Sequence, residues 1–360
     1  MKPTPNQSNS SIHNYCESQQ TSNNIHHPQN KKYSTRNQTI VLSDIQSKEY
    51  ASKCLSIRDI VDNQPIINQI INGDSLEILE QLNQNPQNHS MIDLLIVDPP
   101  YNLTKNYGDS KFSKMSDEDY TQFTHNWVKS IQPLLQNNAS IYVCCDYKTS
   151  LIIGNVLQKY FTIQNRITWQ REKGRGAKAN WKNSLEDIWF CTVSPTNYTF
   201  NLDAVKIRRK VIAPYKVDGQ PKDWLQTEQG NFRDTCPSNF WDDISIPYWS
   251  MPENTEHPTQ KPEKLLAKLI LASSNANDIV FDPFVGSGTT AVVAKKLNRN
   301  FIGIELQKKY CAITQHRLQL ANTNKTIQGY TDGIFWERNT AAQQLSKNKL
   351  GKTHEPSKNF

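Results

Sequence analysis

Ile92-Asp93-Leu94-Leu95-Ile96-Val97-Asp98-Pro99-Pro100-Tyr101 is the stretch on which the reading of this chain turns. Its first six residues form a nearly continuous apolar run, as a parallel strand buried on both faces should. An acid, two prolines and an aromatic then stand where that strand ends. In an open α/β sheet, ligands bind beyond the carboxyl ends of the strands. Asp98, Pro99, Pro100 and Tyr101 are therefore the first candidates for chemistry.

Those four residues suit a flat heterocycle that carries an exocyclic amino group. The lone pair of such an amine is delocalised into its ring, which makes the nitrogen a poor nucleophile. Two acceptors, each taking one N–H bond, favour a pyramidal nitrogen and free the lone pair. The Asp98 carboxylate offers one acceptor and the Pro99 backbone carbonyl the other. Pro100 confines the residue before it to extended geometry, which aims that carbonyl. Tyr101 offers a ring on which a base can stack once it has left a duplex.

Outward from this strand, strand-like and helix-like segments alternate. Strands are expected at 69–71, 141–145, 161–169, 187–193, 279–281 and 301–304. Helices are expected at 75–82, 117–135, 151–160, 263–274, 289–297 and 308–320, the one at 263–274 amphipathic and opened by Pro262. Such alternation implies an α/β sheet. The rhythm breaks at about 171–250, where Gly, Pro and Trp are frequent, so this is read as an insertion carrying substrate contacts. Residues 1–45 are rich in Asn, Gln and Ser and too poor in apolar surface to offset ordering entropy, and residues 322–360 are similar. A single domain over 46–321, flanked by two polar tails, is expected. Tyr330, Phe335 and Trp336 are the residues of the second tail that could dock on the core.

A second strand and turn, Ile279-Val280-Phe281-Asp282-Pro283-Phe284-Val285-Gly286-Ser287-Gly288-Thr289, reads as a nucleotide-cofactor turn. Glycines between a strand and a helix allow a tight turn and close backbone approach to a ligand. Glu305 follows Gly288 by seventeen residues, at the end of the next strand, where an acid can accept from ribose hydroxyls. No Lys follows Gly288, which excludes a phosphate loop and favours a cofactor with a ribose and no phosphates.

The bulk properties bound the function more loosely. The net charge of +7 and pI near 8.9 permit nucleic-acid binding without requiring it. Seven cysteines without a CxxC pair read as free thiols in a reducing cytoplasm. His26 and His27 lack partners at metal spacing, so no metal is expected. No apolar run approaches the roughly 18 residues of a membrane span, and the N-terminus lacks an apolar signal core.

In combination, these motifs resemble the S-adenosylmethionine-dependent DNA amino-methyltransferases that act on adenine N6 or cytosine N4. The order matters: Asp98 to Tyr101 precede Asp282 to Gly288, as in the permuted group where the catalytic half comes first. The resemblance spans roughly residues 66–320. It implies a Rossmann-like methyltransferase fold, with a seven-stranded, mostly parallel sheet, one reversed hairpin strand, helices on both faces and an inserted target-recognition region. It also implies S-adenosyl-L-methionine as cofactor. Asp282, Gly286 and Gly288 would line its methionine side, with Phe284 and Thr289 of the same turn. Glu305 would hold the ribose, and Asp74 in Asn72-Gly73-Asp74 would meet the adenine. His257-Pro258-Thr259-Gln260-Lys261-Pro262 looks like the family's segment before the helix that closes over the cofactor, which brings in Lys261. Trp169 and Trp241-Asp242-Asp243 sit where the family has tryptophan-bearing segments, with packing and function both open.

An Asp rather than a Ser at the head of the motif favours adenine N6, by association only, because both amines need the same clamp. Double-stranded DNA is the implied substrate. The stretch 165–224 carries twelve Lys and Arg against six Asp and Glu, and phosphate binding is the natural reading. Lys173, Arg175 and Lys178 form one candidate contact, and Lys206, Arg208, Arg209 and Lys210 a second. A restriction-modification setting implies a separate endonuclease acting on the same site. Relatives of the permuted group often form homodimers, which these residues leave open.

Overall fold

The computed structural model describes residues 36–60, 66–107, 110–171, 179–211, 215–227 and 230–337. Nine strands form its main sheet: β1 Leu55–Ser56, β2 Gln69–Asn72, β3 Ile92–Val97, β4 Leu135–Cys145, β5 Thr162–Gln170, β6 Leu185–Thr192, β7 Phe240–Trp241, β8 Ile279–Asp282 and β9 Asn300–Glu305. Their order is β1-β2-β9-β8-β3-β4-β6-β5-β7. Neighbours are parallel except where β6 runs against β4 and β5. The expected seven strands with one reversed are thus present, and the two-residue β1 and β7 are additions at the edges.

Among the described residues the α-helices are α1 Asp44–Ala51, α2 Ser75–Asn83, α3 Asp117–Ile131, α4 Ser150–Leu157, α5 Glu263–Ser273, α6 Thr289–Lys296 and α7 Lys308–Leu320. In β3, Leu94 and Ile96 face a core built with α5, α6 and α7, while Leu95 and Val97 face one built with α2, α3 and α4. Alternate side chains of one strand thus feed both cores, which is why its sequence is almost unbroken in apolar residues. Each of these four is at most 1% exposed, and burying such a side chain stabilises by about 1.5–3 kcal/mol.

The chain runs outward in opposite directions from the centre, β3 to β4 on one side and β8 to β9 on the other. β3 and β8 lie side by side, with Leu94 opposite Val280 and Leu95 opposite Phe281. The crevice above such a reversal is where open α/β sheets bind ligands. Asp98 and Asp282 stand at its two lips.

Four expectations need correction. The helix expected over 117–135 ends at Ile131, and residue 135 already opens β4. Pro133 cannot donate to the helix and crowds the carbonyl four residues earlier. Helix α5 is buried on every side rather than amphipathic. The ammonium of Lys264 is accommodated by Asp243 at 2.6 Å and the Trp336 carbonyl at 2.7 Å. The polar tail expected from residue 322 is ordered chain up to Glu337. Ile334–Trp336 pairs in parallel with Ile207–Lys210 inside a second, five-stranded sheet, and Phe335 is fully buried. At the other end, Gln38 and Ile40 already bond to Trp249 and Asn254, ahead of the expected boundary at 45.

Within the stretch 171–250 expected as an insertion, Leu185–Thr192 is β6 of the main sheet, and the chain leaves that sheet only after it. Ile207–Lys210, Leu225–Thr227 and Gly230–Thr235 belong to the second sheet, and the chain rejoins the first at β7.

Candidate active site

The carboxyl end of β3 delivers Asp98 to the sheet's edge. The Tyr101 hydroxyl donates to Asp98 Oδ1 at 3.0 Å, and the Lys261 ammonium donates to Oδ2 at 2.6 Å. Lys261 Nζ also lies 3.2 Å from the Tyr101 hydroxyl and 5.4 Å from the centre of its ring. Helix α3 fixes the loop from beneath, because the buried Tyr120 donates to the Pro100 carbonyl at 2.9 Å. The Pro100 carbonyl is thereby engaged inside the protein.

Reversal of β6 brings its first residues, rather than its last, to the same edge. Glu186 arrives there, 3.4 Å from Lys261 Nζ through Oε2, with Arg171 on its Oε1. Burial works to lower the Lys261 ammonium, but Asp98 and Glu186 outweigh it and hold the group above its ordinary value. Burial, then the same two carboxylates, push the Tyr101 hydroxyl well up, so it remains a donor.

Beside this cluster lies a cavity of about 260 Å³, lined among others by Asp74, Phe123, His257, Phe284, Glu305 and Tyr310. A smaller chamber of about 30 Å³ adjoins it through His257, Phe284 and Gly286 and reaches Asp98, Lys261 and Asp282. The floor is the glycine turn. Gly286 and Gly288 hold φ of +56° and +82°, a region costly for other residues. Glu305 accepts from the Gly286 amide at 3.0 Å and the Gln307 amide at 2.7 Å. Asp282 accepts from the Thr290 hydroxyl at 2.6 Å and the Phe284 amide at 3.0 Å. These partners are neutral, and burial pushes both carboxyls up to about 7. Burial pulls His257 down to about 4, which keeps its imidazole neutral at physiological pH.

Two buried carboxyls held by neutral donors, under an aromatic wall, suit a ligand with an adenine-like ring, hydroxyls and positive charge. S-adenosylmethionine has all three, so the residues fit the cofactor expected from the sequence. Binding that needs both acids ionised weakens as pH falls through about 7. Affinity is expected to drop about tenfold per pH unit for each proton that binding must expel. Calorimetric titration between pH 8 and pH 5.5 measures this, and a flat profile would exclude the coupling.

The expected site residues divide on inspection. Asp74, Phe284, Gly286 and Glu305 line the large cavity, and Asp282 and Thr289 the small chamber. The Asp74 carboxylate is also engaged in capping α2, accepting from the Leu76 and Glu77 amides. The Thr289 hydroxyl accepts from Arg317 at 3.0 Å, behind the turn. Lys261 also lines the small chamber, with its ammonium on Asp98 and Glu186.

Of the basic residues, Lys173, Arg175 and Lys178 lie outside the described residues. Lys206 pairs with Asp203 at 2.6 Å, and Arg209 lies 3.9 Å from Glu337. Arg208 grips Asp234 with two bonds of 2.7 and 2.6 Å across the second sheet, and Lys210 is exposed. Trp169 and Trp241 pack: both are buried, and their indole N–H groups donate to the Ile244 and Ser238 carbonyls. Sequence reasoning missed Glu186 and Arg317. The first is visible only once the reversed strand places its start at the catalytic edge. The second, on α7, donates to the Ser287 carbonyl at 2.8 Å and to Glu263 at 3.0 Å.

Comparison with known proteins agrees with this geometry. The model of the DNA methylase family matches residues 92–316. Type II methyltransferase M.HpaI of Haemophilus parainfluenzae is 35% identical over 254 residues, 69% of this chain and 74% of its own. DNA adenine methyltransferase YhdJ of Escherichia coli (strain K12) is 34% identical over 254 residues, 70% of this chain and 83% of its own. Among solved structures, PvuII DNA methyltransferase, described as cytosine-N4-specific, aligns at a TM-score of 0.52 with 18% identity, over 73% of this chain and 90% of its own, a likeness of fold. The matched segment runs from the first residue of β3 into α7 and so holds the clamp, the glycine turn and Glu305: the chain belongs to the DNA methylase family.

Proposed function

We propose that this protein methylates the N6 amine of an adenine flipped out of double-stranded DNA, with S-adenosylmethionine as donor. The observation that carries the reading is the meeting of Asp98 and Asp282 across one small chamber that opens into the larger cavity. The bound cofactor supplies an electrophilic methyl group on a sulfonium sulfur. Asp98 and the Pro99 carbonyl each accept one N–H of the target amine and turn its lone pair outward. As the N–C bond forms and the S–C bond breaks, positive charge passes to that nitrogen, and the Asp98 carboxylate faces it. The nitrogen then gives up one proton, which a cationic aniline-like nitrogen does readily, so no stronger base is needed.

Adenine is favoured by the Asp that opens the motif and by a relative named as an adenine methyltransferase. Cytosine N4 is the second reading, because the clamp serves either amine and a protein of the same fold is described as acting there. Incubation with mixed-sequence duplex DNA and methyl-labelled cofactor, then digestion to nucleosides, separates them. Labelled N6-methyladenine supports the first reading and labelled N4-methylcytosine replaces it with the second. Tight DNA and cofactor binding with no labelled nucleoside would make the protein a binding module.

The insertion would carry the DNA backbone. Lys210→Ala is expected to reduce the slope of log affinity against log salt by about one, with little change in Tm. Arg208→Ala is expected to lower Tm by breaking the Asp234 pair and to leave that slope almost unchanged. Equal slope losses in both would assign Arg208 to DNA as well. A separate endonuclease of the same specificity, a homodimer and a cytoplasmic setting complete the proposal.

A further inference from the structure

The Lys261 ammonium makes, in the absence of a base, the very contact that the clamp must make with its substrate. It is a nitrogen donor 2.6 Å from Asp98 Oδ2 and 3.2 Å from the Tyr101 hydroxyl. The amine of a captured base has to occupy that ground. A second carboxylate stands ready on the other side, because Glu186 Oε2 lies 3.4 Å from the same ammonium. Glu186 is buried, and Arg171 braces its other oxygen, so its position is fixed. A buried ammonium cannot be displaced without a partner, since an unpaired buried charge is strongly destabilising. Here the partner is already within a small side-chain rotation.

We propose that Lys261 is a place-holder for the target amine: it occupies Asp98 when no base is present and shifts onto Glu186 when one enters. The proposal rests on the methyltransferase reading above. Glu186 and Lys261 are on this view positioning residues. The exchange leaves the charge of the cluster unchanged, because Lys261 passes from one carboxylate to another while Arg171 stays on Glu186 and Lys105 stays nearby. It also removes a cation from the amine as that amine becomes positive. The sequence gives no hint of this, because Glu186 and Lys261 are 75 residues apart and on elements that meet only in the fold.

The test is single-turnover methylation of duplex DNA at saturating cofactor, each variant normalised to the fraction that binds cofactor by calorimetry. Glu186→Gln leaves Lys261 pinned on Asp98, so its methyl-transfer rate is expected to fall at least about tenfold with cofactor affinity unchanged. Removing the place-holder as well, in Glu186→Gln/Lys261→Met, is expected to return most of that loss. Recovery in the double variant supports the exchange, since two merely structural losses would add. A rate unchanged in Glu186→Gln, or a further fall in the double variant, overturns it. Should Glu186→Gln fail to bind cofactor, Glu186→Asp keeps the charge but withdraws it by one methylene. Its rate is then expected to fall less steeply, and an unchanged rate overturns the exchange. Failure of the wild-type protein to label any nucleoside would instead remove the methyltransferase reading itself.

Discussion

Asp98→Ala is expected to slow methyl transfer by about 10²–10³-fold while cofactor affinity stays within about threefold of wild type. The carboxylate faces the nitrogen on which positive charge develops, and a preorganised charge at such a point is commonly worth that much in rate. The cofactor cavity does not depend on it: its floor is built from the glycine turn, Glu305 and Phe284. The fold should also survive, because Lys261 keeps Glu186 as a counter-charge. Asp98→Asn retains one acceptor oxygen but loses the charge and places an amide N–H₂ near the Lys261 ammonium, so it too should be slow. Single-turnover transfer of labelled methyl groups gives the rate, and calorimetry the affinity. Normal turnover in Asp98→Ala with bound cofactor would remove the clamp as the mechanism.

The second large effect concerns stability. Gly288 caps α6 at φ +82°, and a Cβ added there would lie 2.3 Å from Thr314 Cγ2 and 2.6 Å from its hydroxyl. Thr314 is fully buried on α7, so it has no solvent side to which it can yield. A left-handed backbone costs about 1–2 kcal/mol for a residue with a Cβ, and an overpacked core about 1–3 kcal/mol more. Gly288→Ala is therefore expected to destabilise by about 2–5 kcal/mol, read as a fall in denaturation midpoint, with cofactor binding weakened as the turn shifts. Thr314→Ala in the Gly288→Ala background should return the steric part and leave the backbone part. A single variant as stable as wild type would mean that α6 and α7 can move apart, contrary to the fixed spacing that Arg317 imposes through Ser287 and Thr289.

The parts of this protein that could be read from sequence are those written in contiguous residues. The apolar run to Val97, the acid and prolines after it, and the glycine turn between β8 and α6 each declare their place locally. Asp98, Asp282 and Glu305 could be assigned to strand ends for that reason. What escaped depends on partners distant in the chain. Helix α5 reads as amphipathic because Lys264 and Lys268 are charged, yet Asp243 and a strand ending near Trp336 cover that face. The segment around Phe335 reads as a polar tail because its apolar residues are few, yet parallel pairing with Ile207–Lys210 buries them. Lys261 enters the sequence reading only through the resemblance of its segment, because no motif next to it points to Asp98 or Glu186. Its two carboxylates come from β3 and β6.

Along the carboxyl edge of the main sheet, in strand order, stand Asp74, Glu305, Asp282, Asp98 and Asp146, then Asp187 and Glu186 from the reversed strand. Neighbouring strands are about 4.8 Å apart, so this is a short palisade of acids along the rim that a polyanion must approach. Most of these acids are answered within the protein: Lys261 lies on Asp98 and Glu186, Arg171 on Glu186, and Arg166 3.9 Å from Asp187. Burial moves Asp282 and Glu305 up to about 7, so near neutral pH the charge this rim shows to a polyanion is set by whether those two acids carry protons.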